Sequence, residues 1–345
     1  MGHGTPHGQW RVTKLELVCP AGSLPALRAA IENGADAVYV GFRDGTNARH
    51  FPGLNLDPEE MREGIRLAHD VNAKLFVALN TNPIPGTWER ATRHLHIAAD
   101  LGADAVIIAD LGLLDYAAEH LPGLRRHLSV QASATNPEAI AFYARMFGVR
   151  RIILPRVLSA TQVKDIVENS PVEIEVFGFG SLCVMVEGRC ALSSYVTGAS
   201  PNVSGVCSPA RAVRWEETKN GRNARLNGVL IDVYGPGESA GYPTLCKGRF
   251  RAAEEIYYAI EEPTCLNVLD LLPQLSLAGV TAVKVEGRQR GPAYVAHVTR
   301  VLRSAIDACT ANPATYCPDR RWISALDALA EGRQHTLGAL DREWQ

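Results

Sequence analysis

Residues 33–38 read Asn-Gly-Ala-Asp-Ala-Val, and residues 101–106 repeat nearly the same pattern as Leu-Gly-Ala-Asp-Ala-Val. In both copies the glycine follows a stretch with helical spacing of apolar residues and precedes a short apolar run. Glycine suits the left-handed position that ends a helix, and a continuous apolar run is typical of a strand buried on both faces. The repeat therefore predicts a unit in which a helix leads into a strand of a parallel sheet.

The same alternation extends along most of the chain. The apolar runs are separated by stretches with helix signals, such as the Asp-Pro-Glu-Glu of residues 57–60, in which Asp suits the N-cap and Pro the first helical turn. The predicted strands are 15–19, 37–41, 75–80, 105–110, 128–132, 151–155, 172–177 and 282–286. Eight alternations favour an α/β fold of the (β/α)8 TIM-barrel type. An open doubly wound sheet is the alternative, although no glycine-rich dinucleotide fingerprint follows the first run.

The length, the net charge and the distribution of apolar residues exclude several classes of protein. The chain has 345 residues, and 35 basic against 37 acidic side chains give a formal net charge of −2. Such a charge gives no overall attraction to nucleic acid, and no partner of that class is expected. No apolar run is long enough to cross a bilayer, and no basic segment followed by an apolar run marks a secretory signal. We therefore expect a soluble, cytoplasmic protein.

The regular alternation breaks between about residues 181 and 265. Residues 190–210 carry no charge and are rich in Ser, Gly and Pro, and residues 215–234 then resemble short strands joined by Asn-Gly turns. An insertion after the seventh strand lies on the face where barrels carry active sites. The predicted domains are a disordered start at 1–13, a barrel at 14–180 and 266–310, this insertion at 181–265, and a helical C-terminal tail at 311–345.

Four of the eight cysteines fall within the insertion, separated by 6, 16 and 38 residues. They are Cys183, Cys190, Cys207 and Cys246. Four thiolates can complete a tetrahedral zinc site or a [4Fe–4S] cluster. Zinc sites commonly use pairs of cysteines two to four residues apart, and the wide spacing here favours a cluster over zinc. The alternative is that each cysteine is a small buried apolar residue, as we expect for the scattered cysteines of the chain. Those are Cys19, Cys265, Cys309 and Cys317.

Polar side chains stand at or near the carboxyl ends of the predicted strands, where barrel enzymes place their chemistry. Arg156 and Lys284 are suited to hold a dicarboxylate, because arginine can bind a carboxylate through two parallel hydrogen bonds. Glu175 or Glu286 could move protons. For each residue the alternative is a structural ion pair at the barrel mouth. The full set is Tyr39, Asn80, Asp110, Gln131, Arg156, Glu175, Lys284, Glu286 and Arg288.

Residues 175–193, EVFGFGSLCVMVEGRCALS, resemble the signature of peptidase family U32, and residues 241–250, GYPTLCKGRF, are also similar to that family. The resemblance extends from about residue 14 to residue 310. It implies a [4Fe–4S] cluster with Cys183, Cys190, Cys207 and Cys246 as its ligands. Peptidase activity is not expected, because a cysteine nucleophile must be a free thiolate beside a histidine, and these cysteines would be ligands.

Within the family, the cysteine spacings and the length are most similar to members that act in ubiquinone biosynthesis without oxygen. This resemblance implies hydroxylation of a prenylated quinone precursor with prephenate as the hydroxyl donor. It also implies a heterodimer with a UbiV-like paralogue. A lipid-binding accessory protein is a further candidate partner, because the apolar runs leave no surplus for a lipid groove. The alternatives are a tRNA or rRNA hydroxylase of the same family, and a non-catalytic electron-transfer or scaffold subunit.

Overall fold

The computed structural model describes residues 14–183, 185, 187–188, 190–219 and 221–342. The predicted disordered start at residues 1–13 lies outside the described residues. Eight parallel strands form a closed ring, in which the last strand in the chain pairs with both the first and the seventh. They are β1 (Glu16–Pro20), β2 (Ala37–Gly41), β3 (Lys74–Leu79), β4 (Ala105–Ile108), β5 (Arg126–Leu128), β6 (Arg151–Ile153), β7 (Glu173–Ser181) and, after the insertion, β14 (Ala282–Val285). The predicted TIM-barrel fold is confirmed.

Helices follow the barrel strands and form the outer layer. They are α1 (Leu24–Glu32), α2 (Pro58–His69), α3 (Trp88–Asp100), α4 (Leu111–His120), α5 (Pro137–Phe147), α6 (Ala160–Asn169), α9 (Leu272–Ala278) and α10 (Pro292–Ala311). The start of α2 has the expected cap. The Asp57 side chain accepts from the amide of Glu60, and the Glu60 side chain accepts from the amide of Asp57, which satisfies donors that the first turn leaves free.

The structure has the predicted fifth strand, but the predicted bounds of that strand, residues 128–132, are wrong. The strand β5 ends at Leu128, and the next residue, Ser129, accepts a hydrogen bond from the amide of Gln131. This local bond turns the chain into a short 3-10 helix at Val130–Ala132. Gln131 therefore lies on a turn above the barrel and not in the strand.

The segment after β7 contains two short helices and two small antiparallel sheets. The helices are α7 (Leu192–Thr197) and α8 (Pro201–Ser204), one sheet has β8 (Val213–Thr218), β9 (Gly221–Leu226) and β10 (Val229–Tyr234), and the other has β11 (Arg249–Ala252) and β12 (Glu255–Tyr258). The chain returns to the barrel through β13 (Cys265–Asn267), which pairs antiparallel with the end of β7. The insertion is thereby anchored to the strand that precedes it.

The C-terminal segment is only partly helical. After α11 (Arg320–Asp327) the chain forms β15 (His335–Thr336), which pairs parallel with β13. The prediction of a helical tail missed this strand, because two residues are too short to show a strand period in the sequence. Among the described residues, no helix combines the length and the apolar character that crossing a membrane requires.

Candidate functional site

The four clustered cysteines line a single cavity of about 140 Å³ at the carboxyl ends of the barrel strands. Cys183 follows β7, Cys190 precedes α7, Cys207 follows α8, and Cys246 lies on the 3-10 turn Leu245–Lys247. All four are free thiols that are neither fully buried nor fully exposed. The fold therefore brings together the four cysteines that the sequence singled out.

Two glycines hold the cysteine loops close to the barrel mouth. A Cβ on Gly188 would lie 1.9 Å from the carbonyl oxygen of Gln131, and one on Gly205 would lie 2.4 Å from the carbonyl oxygen of Asn47. Both glycines have positive φ, at 79° and 80°, which other residues adopt at a cost. The loops that carry Cys190 and Cys207 can approach the barrel this closely because a side chain is absent at these two positions.

The cysteines influence one another electrostatically. Burial raises the pKa of the Cys246 thiol to about 12, and charge on Cys183, Cys207 and Cys190 adds to the rise, against the attraction of Lys247. Burial likewise raises the pKa of Cys183. Thiols with raised pKa values stay protonated near neutral pH unless a metal displaces their protons.

Two arginines face this group of thiols, Arg49 with a half-buried side chain and Arg156 with a buried one. Arg49 attracts charge on Cys207 and Cys183, and Arg156 attracts charge on Cys183. Four thiolates concentrate negative charge, and the two guanidinium groups lie close enough to attract it. The donor set and its surroundings thus fit a [4Fe–4S] cluster. Within the described ranges, no three His, Cys, Asp or Glu side chains lie close enough to hold a single metal ion.

Arg156 already has a carboxylate partner. Its Nε lies 2.7 Å from Oε1 of Glu187, its Nη1 donates to the carbonyl of Ser181, and its guanidinium lies 4.4 Å from the centre of the Phe177 ring. The side chain is buried. Arg156 therefore braces the loop that carries Cys183, and its charge is balanced before any dicarboxylate binds.

Glu175 and Lys284 form a buried ion pair at 2.7 Å. Glu175 also bonds Arg151 at 3.2 Å, is fully buried, and does not line the cysteine cavity. Lys284 does line it, with its Nζ 4.0 Å from the centre of the Tyr39 ring. Burial lowers the pKa of Lys284, and the attraction of Glu175 opposes that change. Glu175 thus lies beneath the cavity wall, in the structural role that the sequence left open.

Glu286 lines the cavity and pairs with Arg49, whose Nε lies 3.1 Å away. Burial alone would raise the pKa of Glu286. The positive charges of Arg49 and, to a smaller extent, Arg156 lower it, and with the other neighbouring groups they hold the pKa at about 2. A carboxylate this acidic is a weak proton acceptor near neutral pH. The geometry favours a positioning role for Glu286 over the predicted proton transfer.

The other polar residues at the strand ends divide into two groups. Tyr39, Asn80 and Gln131 line the cavity, together with Arg288. Asp110 does not, because its side chain caps α4 by accepting from the amide of Leu113 at 2.9 Å.

Sequence reasoning missed Arg49 and Glu187. Arg49 lies on the loop after β2, away from any strand end, and no signal in the sequence marks it. Glu187 is an acidic residue between two of the cysteines, at a position that the family signature leaves open. Both residues matter at the site because they neutralise a buried partner, Glu286 and Arg156 respectively.

A second cavity, of about 460 Å³, lies behind the wall that carries Cys207. Successive residues of that wall face alternate sides: Gly205 and Cys207 line the cysteine cavity, whereas Ser204 and Val206 line the second one. The second cavity also has apolar lining that the sequence did not reveal. It includes Phe51, Ile84, Leu113 and Val203.

The sequence of this chain is similar to one protein family and to several individual proteins. The profile of Peptidase family U32 matches residues 22–340. An uncharacterized protease of Methanocaldococcus jannaschii is 34% identical over 85% of this chain and 65% of its own length. The tRNA hydroxylation protein P of Escherichia coli is 33% identical over 95% of this chain and 75% of its own length. A 23S rRNA 5-hydroxycytidine synthase of Escherichia coli is 32% identical over 86% of this chain and 40% of its own length.

These relatives extend beyond the part that aligns. This chain spans about two thirds to three quarters of the length of the first two relatives and less than half of the third. Their names refer to a protease in one case and to RNA hydroxylation in the other two.

Proposed function

This chain belongs to peptidase family U32, and we propose that it is the iron–sulfur subunit of an oxygen-independent hydroxylase in ubiquinone biosynthesis, a UbiU-like branch of the family. The observation that carries the proposal is the cavity on which Cys183, Cys190, Cys207 and Cys246 converge. Relatives named for tRNA and rRNA hydroxylation support a hydroxylase role. The signature cysteines serve as ligands in this account and not as peptidase nucleophiles.

The four cysteines hold a [4Fe–4S] cluster, which supplies one-electron transfer when it is bound. Arg49 and Arg156 attract the charge of the thiolates, and Glu286 and Glu187 hold these arginines in place. Gly188 and Gly205 let the two cysteine loops lie against the barrel. These residues form the cluster-binding part of the site.

The cavity has an apolar side that suits an aromatic ring. Ile107, Ile153, Phe177 and Leu192 line it along with the cysteines. Ring hydroxylation by hydroxide converts ArH and OH⁻ into ArOH, one proton and two electrons. Prephenate can release hydroxide when it loses carbon dioxide and becomes aromatic phenylpyruvate. The two electrons then pass to an external electron acceptor, which the reaction needs as a co-reactant.

The prenyl tail of such a substrate needs apolar surface, because each buried methylene contributes roughly 0.8 kcal/mol. The second cavity offers apolar lining on this chain, and a lipid-binding accessory protein would supply more. A UbiV-like paralogue is the other proposed partner. Large apolar side chains exposed on the insertion support a docking role for it. They are Tyr195, Trp215, Leu230, Ile256 and Tyr257.

A tRNA or rRNA hydroxylase is the second candidate, favoured by the names of the relatives. Arginines on the sheets of the insertion are partly neutralised by their neighbours. Arg222 pairs with Glu217 and Arg225 with Glu216, and Arg249 pairs with Asp232. Charges balanced in this way attract phosphates weakly. RNA is therefore the second candidate substrate, after the quinone precursor.

The test is genetic and compares both substrate classes in one strain. The gene is deleted from its host, and wild type, Cys207→Ala or Cys317→Ala is supplied in trans during growth without oxygen. Ubiquinone and hydroxylated tRNA nucleosides are then measured by mass spectrometry. We expect ubiquinone to disappear on deletion and to return with wild type and with Cys317→Ala, whose sulfur is exposed and outside the cavity. Loss of tRNA hydroxylation with normal ubiquinone would contradict the proposal. Normal ubiquinone with Cys207→Ala would contradict it as well.

A further inference from the structure

Arg288 differs from the other cations at the cysteine cavity. It follows β14, is 3% exposed and lines the cavity. Its Nη1 lies 3.4 Å from Oδ1 of Asn55, its Nε has no hydrogen-bond partner, and its guanidinium lies 5.7 Å from the centre of the Tyr39 ring. In the described part of the chain, no carboxylate oxygen lies within 4.0 Å of its nitrogens.

The neighbouring cations all have such a partner. Arg49 pairs with Glu286, Arg156 with Glu187 and Lys284 with Glu175, at 2.7 to 3.1 Å. A buried arginine can also be satisfied without a carboxylate. Arg126, at the opposite end of the barrel, donates to the backbone carbonyls of Phe147, Leu121 and Leu124 at 2.8 to 3.1 Å. Arg288 has neither arrangement.

The fold places Arg288 at this position through two close contacts. A Cβ on Gly41 would lie 2.3 Å from Nη1 of Arg288, and one on Gly22 would lie 2.1 Å from its carbonyl oxygen. The guanidinium and the backbone of Arg288 are therefore both held where side chains are missing. Burying a charge without a partner is costly, and burial lowers the pKa of Arg288 to about 10. A bound ligand that supplies a negative charge would offset the free-energy cost of burying the Arg288 guanidinium.

We propose that Arg288 is the carboxylate-binding residue of the cysteine cavity and holds a small organic acid there. A planar guanidinium can bind a carboxylate through two parallel hydrogen bonds. Lys284 and Tyr39, which flank Arg288, line the same cavity, so the acid would lie against the barrel interior. The identity of the acid as the hydroxyl donor rests on the proposed function. Arg288 thereby takes the role that the sequence suggested for Arg156.

Thermal unfolding of the anaerobically purified protein tests this assignment, with prephenate as the first probe and phenylpyruvate as a probe with one carboxylate. A ligand that binds the folded state raises Tm. We expect prephenate to raise Tm of wild type and to bind Arg288→Met at least tenfold more weakly. Because the substitution removes an unpartnered buried charge, Arg288→Met without ligand should melt at or above wild type.

Arg126→Met is the matched control, since it also removes a buried arginine. It should melt well below wild type, because it leaves backbone carbonyls without donors, and yet keep the rise in Tm with prephenate. Arg288→Lys should recover part of the affinity through its charge. Unchanged prephenate affinity in Arg288→Met would overturn the assignment, and so would a wild type that binds neither acid. Neither result would change the outcome of the ubiquinone measurement in the deletion strain, which tests the proposed function separately.

Discussion

At the scale of single residues, the barrel interior is held by a buried ion network rather than by apolar packing alone. Arg151 is 2% exposed and bonds carboxylates from three positions, Glu16 at 2.6 Å, Glu173 at 2.7 Å and Glu175 at 3.2 Å. Glu175 links this network to Lys284 at the floor of the cavity. Such a network is sensitive to the loss of any one charge, because the remaining partner stays buried and unpaired.

Glu175→Ala should destabilise the fold strongly. It leaves Arg151 and Lys284 without their shared carboxylate, and the free energy of unfolding should fall by about 3–5 kcal/mol. Urea unfolding measures this fall in the free energy of unfolding. The control is Glu168→Ala, which removes an exposed partner of Lys164 and should change stability by less than about 0.5 kcal/mol. A fully stable Glu175→Ala protein that has lost activity would instead return Glu175 to a catalytic role.

His127 should make stability dependent on pH. Burial, and then the charge of Arg151, lowers its pKa well below 6.5, so the folded protein keeps it neutral. The unfolded chain binds a proton there as the pH falls through about 6.5 and therefore gains more protons than the folded one. This group's share of stability is complete above that value and falls by about 1 kcal/mol over the next pH unit below it.

Urea unfolding at about pH 7.5 and about pH 5.5 isolates this contribution when wild type is compared with His127→Gln. The variant retains an acceptor for Arg125, whose Nε lies 3.1 Å from the His127 ring nitrogen. It should lose less stability between the two pH values than wild type does. Equal losses in both proteins would assign the pH dependence to other groups.

At the scale of elements, the cysteine loops depend on backbone approaches that admit no side chain. Gly188→Ala should therefore displace the loop between Cys183 and Cys190 and lower the iron content of the protein, while the barrel stays folded. Gly198→Ala is the control, because Gly198 also has positive φ, at 69°, but has open space around it. Iron analysis and circular dichroism on both variants check the prediction. Wild-type iron content in Gly188→Ala would show that the loop tolerates the shift.

The sequence predicted the elements of the barrel well, because helix ends and buried strands leave local signals. The glycine of residues 101–106 and the cap at Asp57 are examples, and the structure confirms the helix end in each case. Pairing between distant side chains leaves no such signal. The loops that meet at the barrel mouth determine these pairings. Arg156 pairs with Glu187 there, and Arg288 has no carboxylate partner among the described residues. The sequence could therefore select the charged residues of the site but not their roles.

At the scale of the whole molecule, the exposed apolar side chains of the insertion are the surface proposed for the UbiV-like paralogue. Ile256→Glu places a charge on a side chain that is 60% exposed, so the fold should tolerate it, whereas an apolar interface should not. Val71→Glu is the control, on a side chain that is 55% exposed at the opposite end of the barrel. Co-expression followed by size-exclusion chromatography should show complex with Val71→Glu and separate chains with Ile256→Glu. A stable complex with Ile256→Glu would move the interface elsewhere.

The iron and acid-labile sulfide content of anaerobically isolated protein measures whether the four cysteines of the cavity bind one [4Fe–4S] cluster. We predict about four irons and four sulfides per chain, and a large loss of both in Cys207→Ala. Cys317→Ala should retain the wild-type content, because its sulfur is exposed outside the cavity. Full iron content in Cys207→Ala, or stoichiometric zinc in place of iron in the wild type, would show that these four cysteines do not bind a [4Fe–4S] cluster.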